Sequence, residues 1–132
     1  MTRKNISSGA AWEGTVGYSR AVRIGNLIEV AGTTAIDERG EVVGRNDPYA
    51  QARYALEKIG RALGEAGAGF ENVIRTRMFV TDIARWEEVG RAHGEIFRDI
   101  RPASTLVQVA SLVRSDLLVE IEATAVVPEG FL

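Results

Sequence analysis

One segment in the middle of the chain carries the signals of a long amphipathic helix. Asp47 can cap its amino end, and Pro48 suits the first helical position, where its missing N–H would have no partner in any case. Gly67 ends the segment with the left-handed conformation that closes many helices. Between these limits apolar residues recur at alternating steps of three and four, which predicts one buried stripe. The stripe consists of Tyr49, Ala52, Leu56, Ile59, Leu63 and Ala66.

The segments before this helix predict β-structure. Residues 18–24 and 27–34 flank Gly25-Asn26, which suits a two-residue hairpin turn because glycine in the first position adopts a positive φ. Residues 37–40, with the sequence Asp-Glu-Arg-Gly, predict a second turn. We expect this turn to lead into a short extended piece at residues 41–43.

The second half of the chain alternates strand and helix again. Residues 73–81 are predicted as a strand, and a second helix follows Asp82 and ends before Pro102. Two further strands are predicted at residues 104–109 and 119–127. The apolar face of the second helix is predicted to consist of Trp86, Val89, Gly90, His93 and Phe97. Its other face is predicted to consist of Glu87, Glu88, Arg91, Glu95 and Arg98.

The order of these elements predicts an α/β (α+β) fold, as one domain over residues 1–132. Right-handed crossovers in a mixed sheet place both helices on the same face, so the other face is left uncovered. We expect Leu106, together with either Met78 or Phe79, on that uncovered face. Apolar residues in such a place indicate a partner surface. The pattern therefore predicts self-association.

Composition excludes several classes of function. The formal net charge of −2 removes the electrostatic basis for general binding to nucleic acid or to anionic membranes. The chain has no cysteine, which excludes disulfides, thiol catalysis and Cys-based zinc sites, and the single histidine is too little for a His-rich metal site. No apolar run reaches the roughly 18–20 residues of a membrane span. We expect a cytoplasmic protein with no nucleic-acid, membrane or metal partner.

A pair of carboxylates is the first candidate for chemistry. Glu120 and Glu122 lie two residues apart in the strand predicted at residues 119–127, so both point to one face of the sheet. They can act as a general acid or base in a cleft, or they can be solvated or salt-bridged strand residues. A carboxylate buried at a subunit interface would favour the functional interpretation.

Cationic side chains are the second candidate. Arg75 and Arg77 share one face of the strand at residues 73–81, and Arg101 precedes Pro102. Each can hold a ligand carboxylate through two parallel hydrogen bonds, or can instead pair with the glutamates. His93 is interpreted as a hydrogen-bonded core or interface residue rather than a ligand.

Segments spread along the chain make it resemble the RidA/YjgF family of small trimeric proteins. They arrive in the family's order and spacing, apart from one extra residue before the last strand. The segments are Gly17-Tyr18-Ser19, Arg23-Ile24-Gly25-Asn26-Leu27, Val30-Ala31-Gly32, Ala50-Gln51-Ala52, Arg75-Thr76-Arg77-Met78-Phe79-Val80-Thr81-Asp82, Arg101-Pro102-Ala103-Ser104-Thr105 and Val119-Glu120-Ile121-Glu122-Ala123. The resemblance covers the chain from about Gly17 to Val127.

The resemblance implies a chorismate-mutase-like fold and a homotrimer. Three uncovered sheet faces would meet at its centre, and three clefts would lie between neighbouring subunits. Active members of the family hydrolyse enamines and imines such as 2-aminoacrylate in these clefts. The products are a 2-keto acid and ammonia, and no cofactor is needed.

Only some of the family's cleft residues are present in this chain. The cleft tyrosine falls on Tyr18, and the glutamate that positions the attacking water falls on Glu120. The arginine that binds the substrate carboxylate falls on Ser104, which carries no charge to replace it. Three further cleft positions also differ: the family's cysteine falls on Leu106, its serine on Ala31 and its asparagine on Gly90.

Two function hypotheses follow from this mixture. In the first, a divergent trimer binds a small metabolite such as a keto or imino acid in its inter-subunit clefts and hydrolyses an imine or enamine other than 2-aminoacrylate. Glu120 would hold and deprotonate water, Tyr18 would orient the substrate, and Arg75, Arg77 or Arg101 could substitute for the missing anchor. In the second, the trimer binds a ligand without turnover. A ribonuclease is the weakest alternative, because the chain is acidic and lacks paired histidines.

Overall fold

The computed structural model describes residues 2–128; Met1 and residues 129–132 of the predicted domain lie outside this range. A six-stranded sheet carries two α-helices on one face. The strands are β1 (Arg3–Ile6), β2 (Ala21–Ile24), β3 (Leu27–Thr33), β4 (Val73–Val80), β5 (Ala103–Gln108) and β6 (Val119–Val126). The helices are α1 (Pro48–Glu65) and α2 (Trp86–Phe97). The predicted α/β class and the placement of both helices are thus confirmed.

The strands are ordered β1-β2-β3-β6-β4-β5 across the sheet. Only β4 and β5 run parallel, and every other neighbouring pair is antiparallel. Strand β6 lies between β3 and β4, so it joins the first half of the sheet to the second. The β2–β3 turn has Gly25 at φ 60°, as predicted for the first position of the hairpin. No helix in the described part of the chain is long and apolar enough to cross a membrane.

Helix α1 follows its sequence signals closely. The Asp47 side chain accepts a hydrogen bond from Ala50 N, Pro48 begins the helix, and Gly67 beyond its end has φ 85°. The predicted stripe is confirmed as the core-facing side, although Tyr49 is only half-buried and its hydroxyl reaches Glu95 Oε1 at 2.5 Å. The fully buried members of the stripe are Ala52, Leu56, Ile59 and Leu63.

Leu56→Ala is expected to lower the free energy of unfolding by about 2–5 kcal/mol, because the truncation leaves a cavity between α1 and the sheet. Leu56 is fully buried in the core cluster. Chemical denaturation of both proteins measures the difference. Arg61→Ala, at an exposed position on the same helix, is the matched control and should change stability by about 0.5 kcal/mol or less. A loss below about 1 kcal/mol for Leu56→Ala would contradict the packing of Leu56 between α1 and the sheet.

The prediction that Trp86 lies on the apolar face of α2 is wrong. Val89 and Phe97 are buried as predicted, but Trp86 is 52% exposed. The helix begins only at Trp86, after a single 3₁₀ turn, and the indole ring lies along the outside of the helix beside Gly90. Ala92 occupies the core position instead.

The uncovered face of the sheet differs from the prediction on strand β5. Phe79 lies on this face beside Glu120, while Met78 is in the core. Leu106, expected on the uncovered face, packs against the core on the helix side. Ser104 shares that side, because its Oγ accepts a hydrogen bond of 2.8 Å from the buried Thr76 hydroxyl. Strand β5 is a sheet edge with little burial on either face, so its alternation gave no reliable signal for the inward side.

Candidate active site

Tyr18 is positioned by a short π-helical turn, Glu13–Gly17. The Tyr18 N–H donates to Glu13 O at 3.0 Å, and Gly17 takes φ 87°, which turns the chain into an extended conformation at Tyr18. The Glu13 carboxylate is itself fixed by the N–H and the hydroxyl of Ser8, at 3.0 and 2.6 Å. Burial raises the pKa of Glu13, but the Ser8 hydrogen bonds outweigh this and hold the pKa below its usual value. The Glu13 carboxylate is therefore ionised, and its Oε2 is already hydrogen-bonded to Ser8.

The Glu120 carboxylate is half-buried against the backbone of Gly32. Gly32 lies where the β3–β6 register shifts, between Val30 and Thr33. A Cβ on Gly32 would overlap Glu120 Oε2, so only glycine lets the carboxylate approach this closely. Burial raises the pKa of Glu120; the Arg20 guanidinium opposes the shift, and Glu122 adds to it. The result is a carboxyl group able to exchange a proton closer to neutral pH than an exposed glutamate.

Arg20 lies next to Gly32 and Tyr18, and it was not among the residues predicted for the site. Its Nη2 donates to Gly32 O at 2.6 Å, and its guanidinium carbon lies 5.9 Å from the centroid of the Tyr18 ring. Burial lowers the pKa of Arg20, while Tyr18, Glu13 and Glu120 oppose the shift. A usable signal existed, since residues two apart in an extended segment share a face, and Arg20 follows Tyr18 by two.

A cavity of about 790 Å³ opens on the uncovered face of the sheet, next to this group. It brings together three of the predicted site residues, Tyr18, Ala31 and Arg77. Its wall also contains Glu122, whose Oε1 pairs with Arg77 Nη1 at 3.4 Å, and Glu29, whose Oε1 accepts a 2.6 Å hydrogen bond from Thr124. The interpretation of Arg77 as a partner for a glutamate is thus confirmed.

Other predicted site residues are not brought to Glu120 within one chain. Ser104 and Leu106 face the helix side, whereas Glu120 faces the uncovered side two strands away. Arg75 Nη2 donates to Thr105 Oγ1 at 2.7 Å, and Arg101, at the exposed end of the α2–β5 loop, donates to Arg98 O at 3.1 Å.

The helix-side cluster around Ser104 is well hydrogen-bonded. Thr76 Oγ1 lies 2.8 Å from His93 Nε2 as well as 2.8 Å from Ser104 Oγ. The centroid of the His93 ring lies 4.6 Å from that of Phe97, with the two rings tilted by 38°, and burial lowers the pKa of His93. The interpretation of His93 as a hydrogen-bonded residue is therefore confirmed. Gly90, three residues earlier on α2, lies beside the Trp86 ring.

The chain matches the family model described as Endoribonuclease L-PSP over residues 9–127. It is 51% identical to Rv2704 of Mycobacterium tuberculosis, a member of the YjgF/YER057c/UK114 family, with a TM-score of 0.87 over 96% of this chain and 100% of that one. The YjgF gene product of E. coli is 29% identical, with a TM-score of 0.78 over 92% and 93% of the two chains. These likenesses confirm the predicted chorismate-mutase-like fold.

A relative with a named activity is also similar. The 3-aminoacrylate deaminase RutC of Acinetobacter baylyi is 36% identical over 108 residues, which cover 82% of this chain and 85% of that protein.

Proposed function

Because the chain belongs to the RidA/YjgF family, we propose that it hydrolyses a small imine or enamine to a carbonyl compound and ammonia. The observation that carries the proposal is the half-buried Glu120 carboxylate, which lies against Gly32 near Arg20 and has a raised pKa. The name of the similar deaminase from Acinetobacter baylyi supports this class of reaction. No cofactor is required, because water attacks an imine carbon directly.

The proposed steps use two side chains. Glu120 accepts a proton from a water molecule as the water oxygen bonds to the imine carbon, and it passes this proton to the imine nitrogen to give a carbinolamine. Glu120 then accepts the hydroxyl proton as the carbonyl forms and delivers it to the nitrogen as the C–N bond breaks, so that ammonia leaves and Glu120 is again ionised. Tyr18 orients the substrate by a hydrogen bond from its hydroxyl. A carboxyl group with a raised pKa serves well in both directions of proton transfer.

The site is proposed to lie between subunits of a homotrimer. Ser104 and Glu120 face opposite sides of one sheet, so a cleft that contains both positions needs residues from two chains. The uncovered face also presents apolar side chains to solvent, with Leu27 at 43% and Val107 at 41% exposure. Light scattering should give a mass about three times that of the 14.3 kDa chain. A monomer at micromolar concentration would contradict the cleft.

The substrate is proposed to differ from 2-aminoacrylate. Ser104 stands where the resemblance places the arginine that binds the carboxylate of that compound, and its hydroxyl is already paired with Thr76. Losing an ion pair at a desolvated site costs on the order of 2–5 kcal/mol of binding.

The experiment is a trapping assay on a panel of imines. An amino-acid oxidase or a dehydratase generates each imine or enamine in situ, semicarbazide traps the unhydrolysed fraction, and released ammonia is measured. We expect acceleration for at least one small imine and little for 2-aminoacrylate. If the protein accelerates none of them but binds the keto-acid products, it is a ligand-binding trimer without turnover.

A further inference from the structure

We infer that Arg20 binds the acidic group of the substrate, in the role that the resemblance gives to position 104. The inference rests on the proposed function and narrows its substrate to a small imine or enamine that carries a carboxylate. It also places that carboxylate beside Tyr18 rather than beside Ser104. An anchor in a different place presents a different carbon to the water at Glu120, which accounts for a substrate other than 2-aminoacrylate.

Backbone hydrogen bonds fix the position of Arg20, the residue that immediately precedes β2. Its N–H donates to Ile6 O at 2.8 Å, and its carbonyl accepts from Ala31 N at 2.9 Å, so the residue is held between β1 and β3. The guanidinium then reaches the carbonyl of Gly32, the same residue that receives the Glu120 carboxylate. Two groups held on one glycine are close enough for a single small molecule to contact both.

The guanidinium has donors to spare. Arginine carries five N–H donors in a planar fork. One contact of Arg20 goes to Gly32 O, while its Nε is buried and has no acceptor among residues 2–128. Buried donors in native proteins are almost always satisfied, so one without a protein partner indicates an acceptor that the single chain does not supply. A carboxylate offers two oxygens in the geometry that the fork fits.

The two neighbouring carboxylates do not occupy the free N–H donors of Arg20. Glu13 contributes to the electrostatics of Arg20, but its Oε2 is held by Ser8. Glu120 is held against Gly32. No ion pair of 4.0 Å or less involves Arg20 within the described range. Arg20 is thus a cation near two acids that it does not pair with.

The arginines singled out from sequence fit the role less well. Arg77 is paired with Glu122, and Arg101 bonds to the backbone of its own loop. Arg75 also has an unpartnered Nε, but it lies four residues along β4 from Phe79, the neighbour of Glu120. Its guanidinium is also turned away from Glu120, because Nη2 donates to Thr105 Oγ1 on β5, and β5 and β6 lie on opposite sides of β4.

The test compares two probes that differ only in charge, 2-oxobutyrate and its neutral amide, 2-oxobutanamide. Calorimetry gives the acid-to-amide affinity ratio for the wild-type protein and for Arg20→Gln, Arg20→Lys, Arg75→Gln and the exposed control Arg39→Gln. We expect Arg20→Gln to lower the affinity for 2-oxobutyrate by on the order of 30-fold or more and to leave the affinity for 2-oxobutanamide within a few fold of the wild-type value. Arg20→Lys keeps the charge without the planar fork of donors, so its ratio should fall between those of Arg20→Gln and the wild type. Arg39→Gln should match the wild type.

Each outcome decides the inference. If Arg20 had only a structural role, Arg20→Gln would weaken the binding of both probes equally. An unchanged acid-to-amide ratio in folded Arg20→Gln therefore overturns the inference. The inference is also overturned if the preference for the acid disappears in Arg75→Gln and not in Arg20→Gln. If Arg20→Gln does not fold, Arg20→Lys gives the same decision. A wild type that prefers the acid through Arg20 but hydrolyses no imine leaves this inference standing and removes the proposed function. A wild type that hydrolyses imines with no acid preference removes only this inference.

Discussion

Replacing Glu120 with glutamine should reduce imine hydrolysis by a factor of about 10²–10⁴ while the assembly state and the stability of the protein are retained. The amide has nearly the shape of the carboxylate and can still hydrogen-bond to water, but it cannot accept the proton. The space it fills beside Gly32 is unchanged in volume. The measurement is steady-state turnover of the best imine of the trapping panel, with the mass of each protein checked in parallel.

The pH dependence of turnover is a second test of the role of Glu120. Glu120 must be ionised to accept a proton, so the wild-type rate should rise with pH through its pKa, which burial raises above the ordinary 4.5. The rate is lost as the pH falls through that raised value, and Glu120→Gln should lack this limb. Glu122→Gln is the matched control: it should keep turnover within a few fold and move the limb to lower pH, because Glu122 raises the pKa of Glu120. Full activity in Glu120→Gln would assign the chemistry to another group.

Gly32→Ala should also lower turnover, by about 100-fold, although it removes no functional group. The added Cβ overlaps Glu120 Oε2, so the carboxylate has to move away from its place against Gly32, near Arg20. A misplacement of about 1 Å is enough for an effect of this size. The overlapping atoms belong to the end of a flexible side chain, and Gly32 is not among the glycines with positive φ, so the fold should survive.

The control for this variant is Gly64→Ala. Gly64 is on helix α1, and a Cβ there meets nothing within 4 Å. Turnover should equal that of the wild type, and stability should rise slightly because alanine favours the helix. A crystal structure of Gly32→Ala with Glu120 unmoved, together with normal activity, would show that the close approach to Gly32 has no part in catalysis.

The elements predicted well from sequence are those whose two faces differ strongly. Helix α1 has caps at both ends and one continuous apolar stripe, and strand β6 alternates alanine, valine and isoleucine with glutamates. Strand β1 was missed, because only Ile6 of its four residues is buried and so no alternation appears. Strand β5 was assigned to the wrong face for the same reason.

The candidate site was predictable only in part. Tyr18 and Glu120 were identified through the resemblance, which compares residues position by position. Arg20 was missed because its role depends on a contact with Gly32, twelve residues away, that a register shift in the sheet creates. The two-residue spacing puts Arg20 on the same side of the chain as Tyr18 but does not encode this contact, and the resemblance assigns the carboxylate anchor to position 104 instead.

The central position of β6 has a consequence for how the protein is made. Its hydrogen bonds alone join β1–β3 to β4–β5, so a chain still emerging from the ribosome exposes two unpaired strand edges until residues 119–126 are available. Such edges invite pairing with other chains, and contacts this distant in sequence form slowly. Glu120 lies on the same strand, so the pairing of β6 with β3 also brings Glu120 to Gly32. A chain that ends before residue 119 therefore lacks both Glu120 and the strand that joins the two halves of the sheet.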